Sequence, residues 1–262
     1  MGELRSAETA FREAEALLTR SMTGNDLIAA EVIHLKSSLR RAQRRLGDAM
    51  ALVDQALTVY ETHGDSQGTG VALVSKAKIL EELGRAEEAI ASLREAVRIV
   101  DPLSRVGFYA RHNLVLCLTL SGRYEEADRL FFEVREAFER SGRPLDLLRL
   151  RWTEGKIAFG LGRLQDAEAA FREVQEAFLA RAMGYDAALV SLDLAILYAQ
   201  EHRIEDLKRL ATEILQVFKS RDVHREAVAA LVLFQTACEE ERLTVELAGE
   251  IATILQREQR AK

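Results

Sequence analysis

The stretch that decides the fold is "GLGRLQDAEAAFREV", Gly160 to Val174. Near-copies of it recur. "ELGRAEEAIASLREAV" begins at Glu82 and "LSGRYEEADRLFFEV" at Leu120. Each has a Gly-Arg pair, two or three acidic or amide residues, an Ala, and an apolar residue four positions on. A spacing of four places that pair on one helical face. Counterparts of Ala167 can be followed along the chain as Ala7, Leu52, Ala89, Ala127, Leu207 and Leu247. The intervals between successive members are 45, 37, 38, 40, 40 and 40 residues. The residues four further on are Phe11, Ala56, Leu93, Phe131, Phe171, Ala211 and Ile251, all of them apolar. A recurrence in register over the whole chain is the mark of a repeat architecture.

The segment ahead of each phrase carries apolar residues at helical spacing, as in "GVALVSKAKILEEL", "GFYARHNLVLCLTL" and "YDAALVSLDLAILYA". Gly84, Gly122 and Gly162 fall where a helix must stop and turn, and glycine takes a left-handed helix end without a Cβ clash. Each unit therefore reads as a first helix, a short turn and a second helix. The joints between units carry breakers or caps: Asp101-Pro102, Gly142-Arg143-Pro144, Gly184 and Asp222. Composition agrees. There are 2 Pro in 262 residues, the charged fraction is 30%, and aromatics make up only 6%. No stretch alternates β-branched and aromatic residues at period two, so no sheet is expected.

These residues resemble the tetratricopeptide repeat (TPR). Leu194-Ala195-x2-Tyr198 is similar to the family's first-helix signature, with Ala for Gly. Ala127-x3-Phe131, Ala167-x3-Phe171 and Ala7-x3-Phe11 are similar to the second-helix signature. Small residues at Ala77, Gly155 and Ala195 stand where a first helix must approach its partner closely. The repeats are longer than the family's period, and the large aromatic early in the first helix is mostly absent. "GYDAALVSLDLAILYAQEHR" and "FKSRDVHREAVAALVLFQTA" resemble the C-terminal part of uncharacterised bacterial TPR proteins, in which the array often follows a regulatory or DNA-binding head.

The expected fold is an all-α, right-handed α-solenoid of about thirteen helices in antiparallel helix-turn-helix repeats of 37–45 residues. It is expected as a single domain over 1–262. Residues 1–21 form a half repeat, followed by full repeats at 22–65, 66–102, 103–143, 144–183, 184–221 and 222–262. An array that begins with half a unit leaves apolar surface uncovered. The chain is therefore expected to be a fragment that begins mid-repeat, and that half repeat could also pair with another copy.

Catalytic chemistry is missing from the pattern. The histidines, His34, His63, His112, His202 and His224, lack metal-site spacing, so no metal or cofactor is expected. "GTGVAL" at 68–73 lacks the third glycine and the preceding strand of a dinucleotide fingerprint. Recurrent acid pairs such as Glu87-Glu88 and Glu125-Glu126 complement helix N-termini. The expectation is not an enzyme. Cys117 and Cys238 lie in apolar helical segments and read as buried free thiols of a reducing cytoplasm. No apolar run is long enough to span a membrane, and the net charge of −6 does not point to nucleic acid.

Partner-binding candidates are first-helix residues that the repeat does not need. In TPR arrays the first helices line the concave face, so the resemblance implies a ligand groove there. Arg149, Trp152 and Lys156 share one face of their helix, placing the single Trp of the chain between two cations. Such a stripe can bind a carboxylate while the ring covers an apolar group. The alternative is that Trp152 packs between repeats and the cations pair with neighbouring acids. Tyr109, His112 and Asn113 on the preceding first helix are further candidates, with Asp193 at the position of Asn113 one repeat beyond the Trp152 helix. For Asn113 and Asp193 an inter-helix hydrogen bond is the simpler role. "KSSLRRAQRR" at 36–45 is a separate candidate for anion contact through Lys36, Arg40 and Arg44, although its cations also complement a helix C-terminus. The function expected is a protein- or peptide-binding scaffold, its partner carrying an acidic group. The alternative is the ligand-sensing input domain of a bacterial transcriptional or signalling regulator.

Overall fold

The computed structural model describes residues 8–11, 13, 26–141, 144–219, 231–232, 234–238 and 244–260. Among these residues every regular element is a helix. In chain order they are α1 (Asp26–Ala42), α2 (Leu46–Thr62), α3 (Ser66–Glu82), α4 (Ala86–Ile99), α5 (Arg105–Leu120) and α6 (Tyr124–Ser141). Then come α7 (Pro144–Gly160), α8 (Leu164–Ala180), α9 (Gly184–Gln200), α10 (Ile204–Lys219) and α11 (Val245–Arg260). Helical residues also occur at 8–11, 231–232 and 234–238. Ala7, Asp222 and His224 lie outside the described residues.

The chain forms two compact units, Met1–Ala137 and Phe138–Lys262. In the first, each helix from α2 to α5 packs on the one before it, and α1 on α3 and α3 on α5 also touch. In the second, α7 to α10 pack in the same sequential way, α7 also meets α9, and α9 meets α11. Within each unit, then, helical hairpins stack with first helix against first helix. This is the all-α solenoid arrangement expected from the repeat.

One turn recurs at seven helix ends among the described residues, whereas α4 ends in extended backbone at Val100. Arg44, Gly64, Gly84, Gly122, Gly162, Ala182 and His202 all have positive φ, between 55° and 74°. The residue after each returns its N–H to the carbonyl five positions back, from Arg45 to Arg40 at 2.9 Å through Arg203 to Tyr198 at 2.8 Å. These are Schellman helix ends, which satisfy carbonyls that the helix leaves without partners. At four of these turns the arginine after the left-handed residue stands at the start of the next helix and pairs with the acid three residues on. Arg45 meets Asp48 at 2.5 Å, Arg85 meets Glu88 at 2.6 Å, Arg123 meets Glu126 at 2.5 Å and Arg203 meets Asp206 at 2.8 Å.

Two details of the sequence reading are corrected by this turn. The second-helix position of Ala167 is the fourth residue of each helix, and in α2 that residue is Ala49, not Leu52. Ala49 and Val53 are fully buried, whereas Leu52 is half-buried. Arg44 had hidden the register, because it occupies the left-handed place that glycine marks elsewhere, while Gly47 lies inside α2. The fully buried fourth residues are Ala49, Ala89, Ala127, Ala167, Leu207 and Ala248, at intervals of 40, 38, 40, 40 and 41, so the half-buried Leu247 is corrected to Ala248 on the same ground. Likewise the joint before α9 turns at Ala182, and Gly184 is only the first residue of the helix.

The close approach expected at Gly155 is present. A Cβ there would lie 2.6 Å from the Phe171 ring and 3.1 Å from the Ala170 Cβ. Ala77 and Ala195 are buried at the matching contacts. The core of the second unit is built on Phe171, Phe178, Leu194, Leu197, Tyr198, Phe234 and Ile251, with Trp152 packed against its edge. Burying one such large side chain contributes about 1.5–3 kcal/mol.

Candidate functional site on the first helices

Positions on the first helices are best counted back from the left-handed turn residue. Trp152 lies ten before Gly162 and Asp193 nine before His202; His34 lies ten before Arg44 and Ser75 nine before Gly84. Each unit contains one hydrogen bond between these two positions on stacked first helices. In the first unit His34 Nε2 and Ser75 Oγ are 2.7 Å apart. In the second the Trp152 indole N–H donates to Asp193 Oδ2 at 2.6 Å. Both bonds join residues 41 apart. The repeat thus sets which positions face one another, and the sequence chooses whether they bond and with what chemistry; on α3 and α5 the same positions hold Val74 and Asn113.

In the second unit a charge is added. Lys156 Nζ lies 3.2 Å from the same Asp193 oxygen and 4.9 Å from the Trp152 ring centroid. The ring is held from below by Phe178 in an edge-to-face contact, with centroids 6.2 Å apart. Trp152 and Lys156 therefore pack between repeats and pair with an acid, while both charged side chains keep part of their surface in water, 32% for Lys156 and 22% for Asp193. Arg149, one turn before Trp152 on α7, is exposed. The structure brings Trp152, Lys156 and Asp193 into one cluster.

Tyr109, His112 and Asn113 belong to α5 in the first unit and are half-buried. Tyr109 stacks edge-on with Phe108 at 5.6 Å, and the Arg105 guanidinium lies 5.5 Å from its ring. The Asn113 side-chain amide donates to the Tyr109 carbonyl at 2.7 Å, within its own helix. The basic stretch is engaged with acids. Arg40 pairs with Glu8 at 2.8 Å, and Arg41 and Arg44 both reach Glu82 at 2.7 Å. Lys36 stands half-buried on α1.

A second polar cluster was not visible in the sequence. Glu168 on α8 accepts hydrogen bonds from Arg203 at 2.6 and 3.1 Å, from Arg172 at 3.0 Å and from the Tyr198 hydroxyl at 3.0 Å. The Arg203 guanidinium also sits 4.4 Å from the Tyr198 ring centroid. The Arg203 hydrogen bond, foremost, holds the Glu168 carboxyl down at about 2. Burial is the main reason the Tyr198 phenol is pushed up to about 12. This cluster ties the turn between α9 and α10 to α8. Its only sequence signal was the Gly-Arg spacing itself, with His202 in the glycine's place. Among the described residues no group of three or more His, Cys, Asp or Glu could hold a metal ion. No helix among them is long and apolar enough to cross a membrane.

Comparison with known proteins agrees with this geometry. A tetratricopeptide-repeat family model matches residues 71–99, most of α3 and all of α4. Solved structures of similar fold include the kinesin light chain TPR-like repeats of Podosopora anserina, with TM-score 0.60 and 14% identity, covering 74% of this chain and 96% of that one. The chain is a TPR-like helical array. The apo form of RapI is similar over 97% of this chain and 93% of that one, at TM-score 0.66 and 15% identity. A Rap protein complexed with Competence and Sporulation Factor is similar at TM-score 0.69 and 13% identity, covering 97% of this chain and 69% of that one. No curated protein matches the sequence of this TPR-like chain.

Proposed function

We propose that this TPR-like array is a non-catalytic protein- or peptide-binding module that takes its partner on the face of its first helices. The observation that carries the reading is the Trp152 cluster: an aromatic ring held rigidly by Phe178, an ammonium over that ring, and an exposed guanidinium one turn away on the same helix. A ring fixed in advance loses little entropy on binding, and Trp with Arg is a common interface anchor. The pair Arg149 and Lys156 suits a partner with an acidic group, and the ring suits an apolar side chain beside it. The neighbour complexed with Competence and Sporulation Factor lends support by fold alone. Tyr109, His112 and Asn113 lie on a first helix of the first unit and offer a separate candidate surface there. The thiols of Cys117 and Cys238 are buried, and burial pushes Cys117 up to about 11, which suits a reducing cytoplasm.

The test is selection of a random decapeptide library on the immobilised chain, followed by titration of the enriched peptides. Because Trp152 is the chain's single tryptophan, its fluorescence reports directly on the site. Enriched peptides are expected to be acidic and apolar, to change that fluorescence, and to bind roughly tenfold or more weakly to an Arg149→Ala, Lys156→Ala double variant. Peptides that bind both proteins equally and leave Trp152 unmoved would place the binding surface elsewhere.

A further inference from the structure

The two first-helix pairings differ in a way that stacking does not require. In the first unit the bond from His34 ends on a neutral hydroxyl, Ser75, and the residue placed as Lys156 is Ser38. In the second unit a carboxylate and an ammonium appear together at those two places, Asp193 and Lys156. A pair this close to solvent adds little to stability. It does settle the state of the site. Asp193 Oδ2 accepts from Trp152 and also faces the Lys156 ammonium, so the one cation above the ring already has a carboxylate.

We infer that Asp193 is a resident competitor that a partner's carboxylate must displace from Lys156 in order to bind. The inference rests on the acid-binding reading given above. The Trp152 N–H stays with Asp193 during the exchange, so the ring keeps its place. The Lys156 ammonium turns from Asp193 to the incoming acid, with Arg149 as the second donor. Exchanging one carboxylate for another costs little, whereas a neutral group at the same place breaks a charge pair and makes none in return. Asp193 therefore lowers the site's affinity for every ligand, so that only an acid, which restores the charge pair it breaks, binds without a net loss of charge pairing.

The probe is N-acetyl-leucyl-glutamate amide, with the glutamine counterpart as control, followed through the indole N–H resonance of Trp152 in the wild type and in Asp193→Asn. The asparagine still accepts from Trp152 but no longer holds Lys156. The glutamate peptide is expected to move the resonance in both proteins, with a midpoint about two- to fivefold lower in the variant. The glutamine peptide is expected to bind more weakly than the glutamate peptide in both proteins. Should Asp193→Asn not fold, Asp193→Ser copies the pairing of the first unit. A glutamate-peptide midpoint that is equal or higher in the variant overturns the competitor role while leaving the acid-binding reading standing. A resonance that moves in neither protein overturns both.

Discussion

Gly155 meets Phe171 so closely that a Cβ on Gly155 would lie 2.6 and 2.8 Å from two carbons of the ring. Phe171 is almost fully buried in the core of its unit, so the ring has nowhere to retreat. Gly155→Ala gains about 1 kcal/mol of helix propensity and loses about 1–3 kcal/mol to overpacking. The net expectation is a loss of about 1 kcal/mol, read as a lower urea midpoint. In a Phe171→Leu background the same change should become neutral or stabilising. Equal costs in the two backgrounds would mean that the ring is not the obstacle.

Ala182 and Gly162 have the same turn role with opposite suitability. Both have positive φ, 61° for Ala182 and 74° for Gly162. A Cβ in that region costs roughly 1–2 kcal/mol, partly offset by the greater freedom of glycine in the unfolded chain. Ala182→Gly is expected to raise stability by about 0.5–1 kcal/mol and Gly162→Ala to lower it by a similar amount. Thermal melts of the two variants should move in opposite directions.

The helices were legible because their signals are local. Apolar spacing gives the faces, and the Gly-Arg pair gives the ends. Legibility failed where an ordinary residue took the glycine's place. Arg44 and Ala182 adopt left-handed backbone without announcing it, so by sequence alone Leu52 stands in for Ala49 and Gly184 for the turn. The residues of the candidate site were legible as exceptions to the repeat, but their partners were not. Whether Lys156 faces a ligand or Asp193 depends on the offset between stacked helices, and that offset is set by packing over 41 residues rather than by neighbours in sequence. The inner pairing could have been sought by asking what lies 41 residues from each candidate, a question that also finds Ser75 from His34. Ala49→Leu is therefore expected to destabilise by about 1–3 kcal/mol, and Leu52→Ala by clearly less, in urea titration.

The clamp around Glu168 sets an acid limit. Its carboxyl titrates at about 2 in the folded chain, against an ordinary value of 4.5, chiefly through the Arg203 hydrogen bond. A depressed carboxyl contributes stability that is complete above the unfolded value and is lost as pH falls from 4.5 toward about 2. Glu168→Gln is expected to be less stable than wild type at neutral pH, with the gap closing across that window. Urea midpoints measured as a function of pH check it. A gap that persists unchanged at the acid end would show that packing, not charge, is what the substitution removes.

His34 sets a second, milder limit, nearer neutrality. Burial between α1 and α3 lowers it from 6.5, and the nearby Glu31 offsets only part of that. The unfolded chain takes up this proton first, so the His34 contribution is complete above 6.5 and is lost as pH falls below it toward the folded value. The neutral ring fits its bond to Ser75, 2.7 Å away, and a hydroxyl cannot compensate a buried positive charge. His34→Gln keeps a hydrogen-bonding side chain there and does not titrate. Between about pH 7 and about pH 5, wild type is expected to lose stability that His34→Gln retains, in paired urea titrations. Parallel curves for the two proteins would mean that the His34–Ser75 pair opens to water before it is protonated.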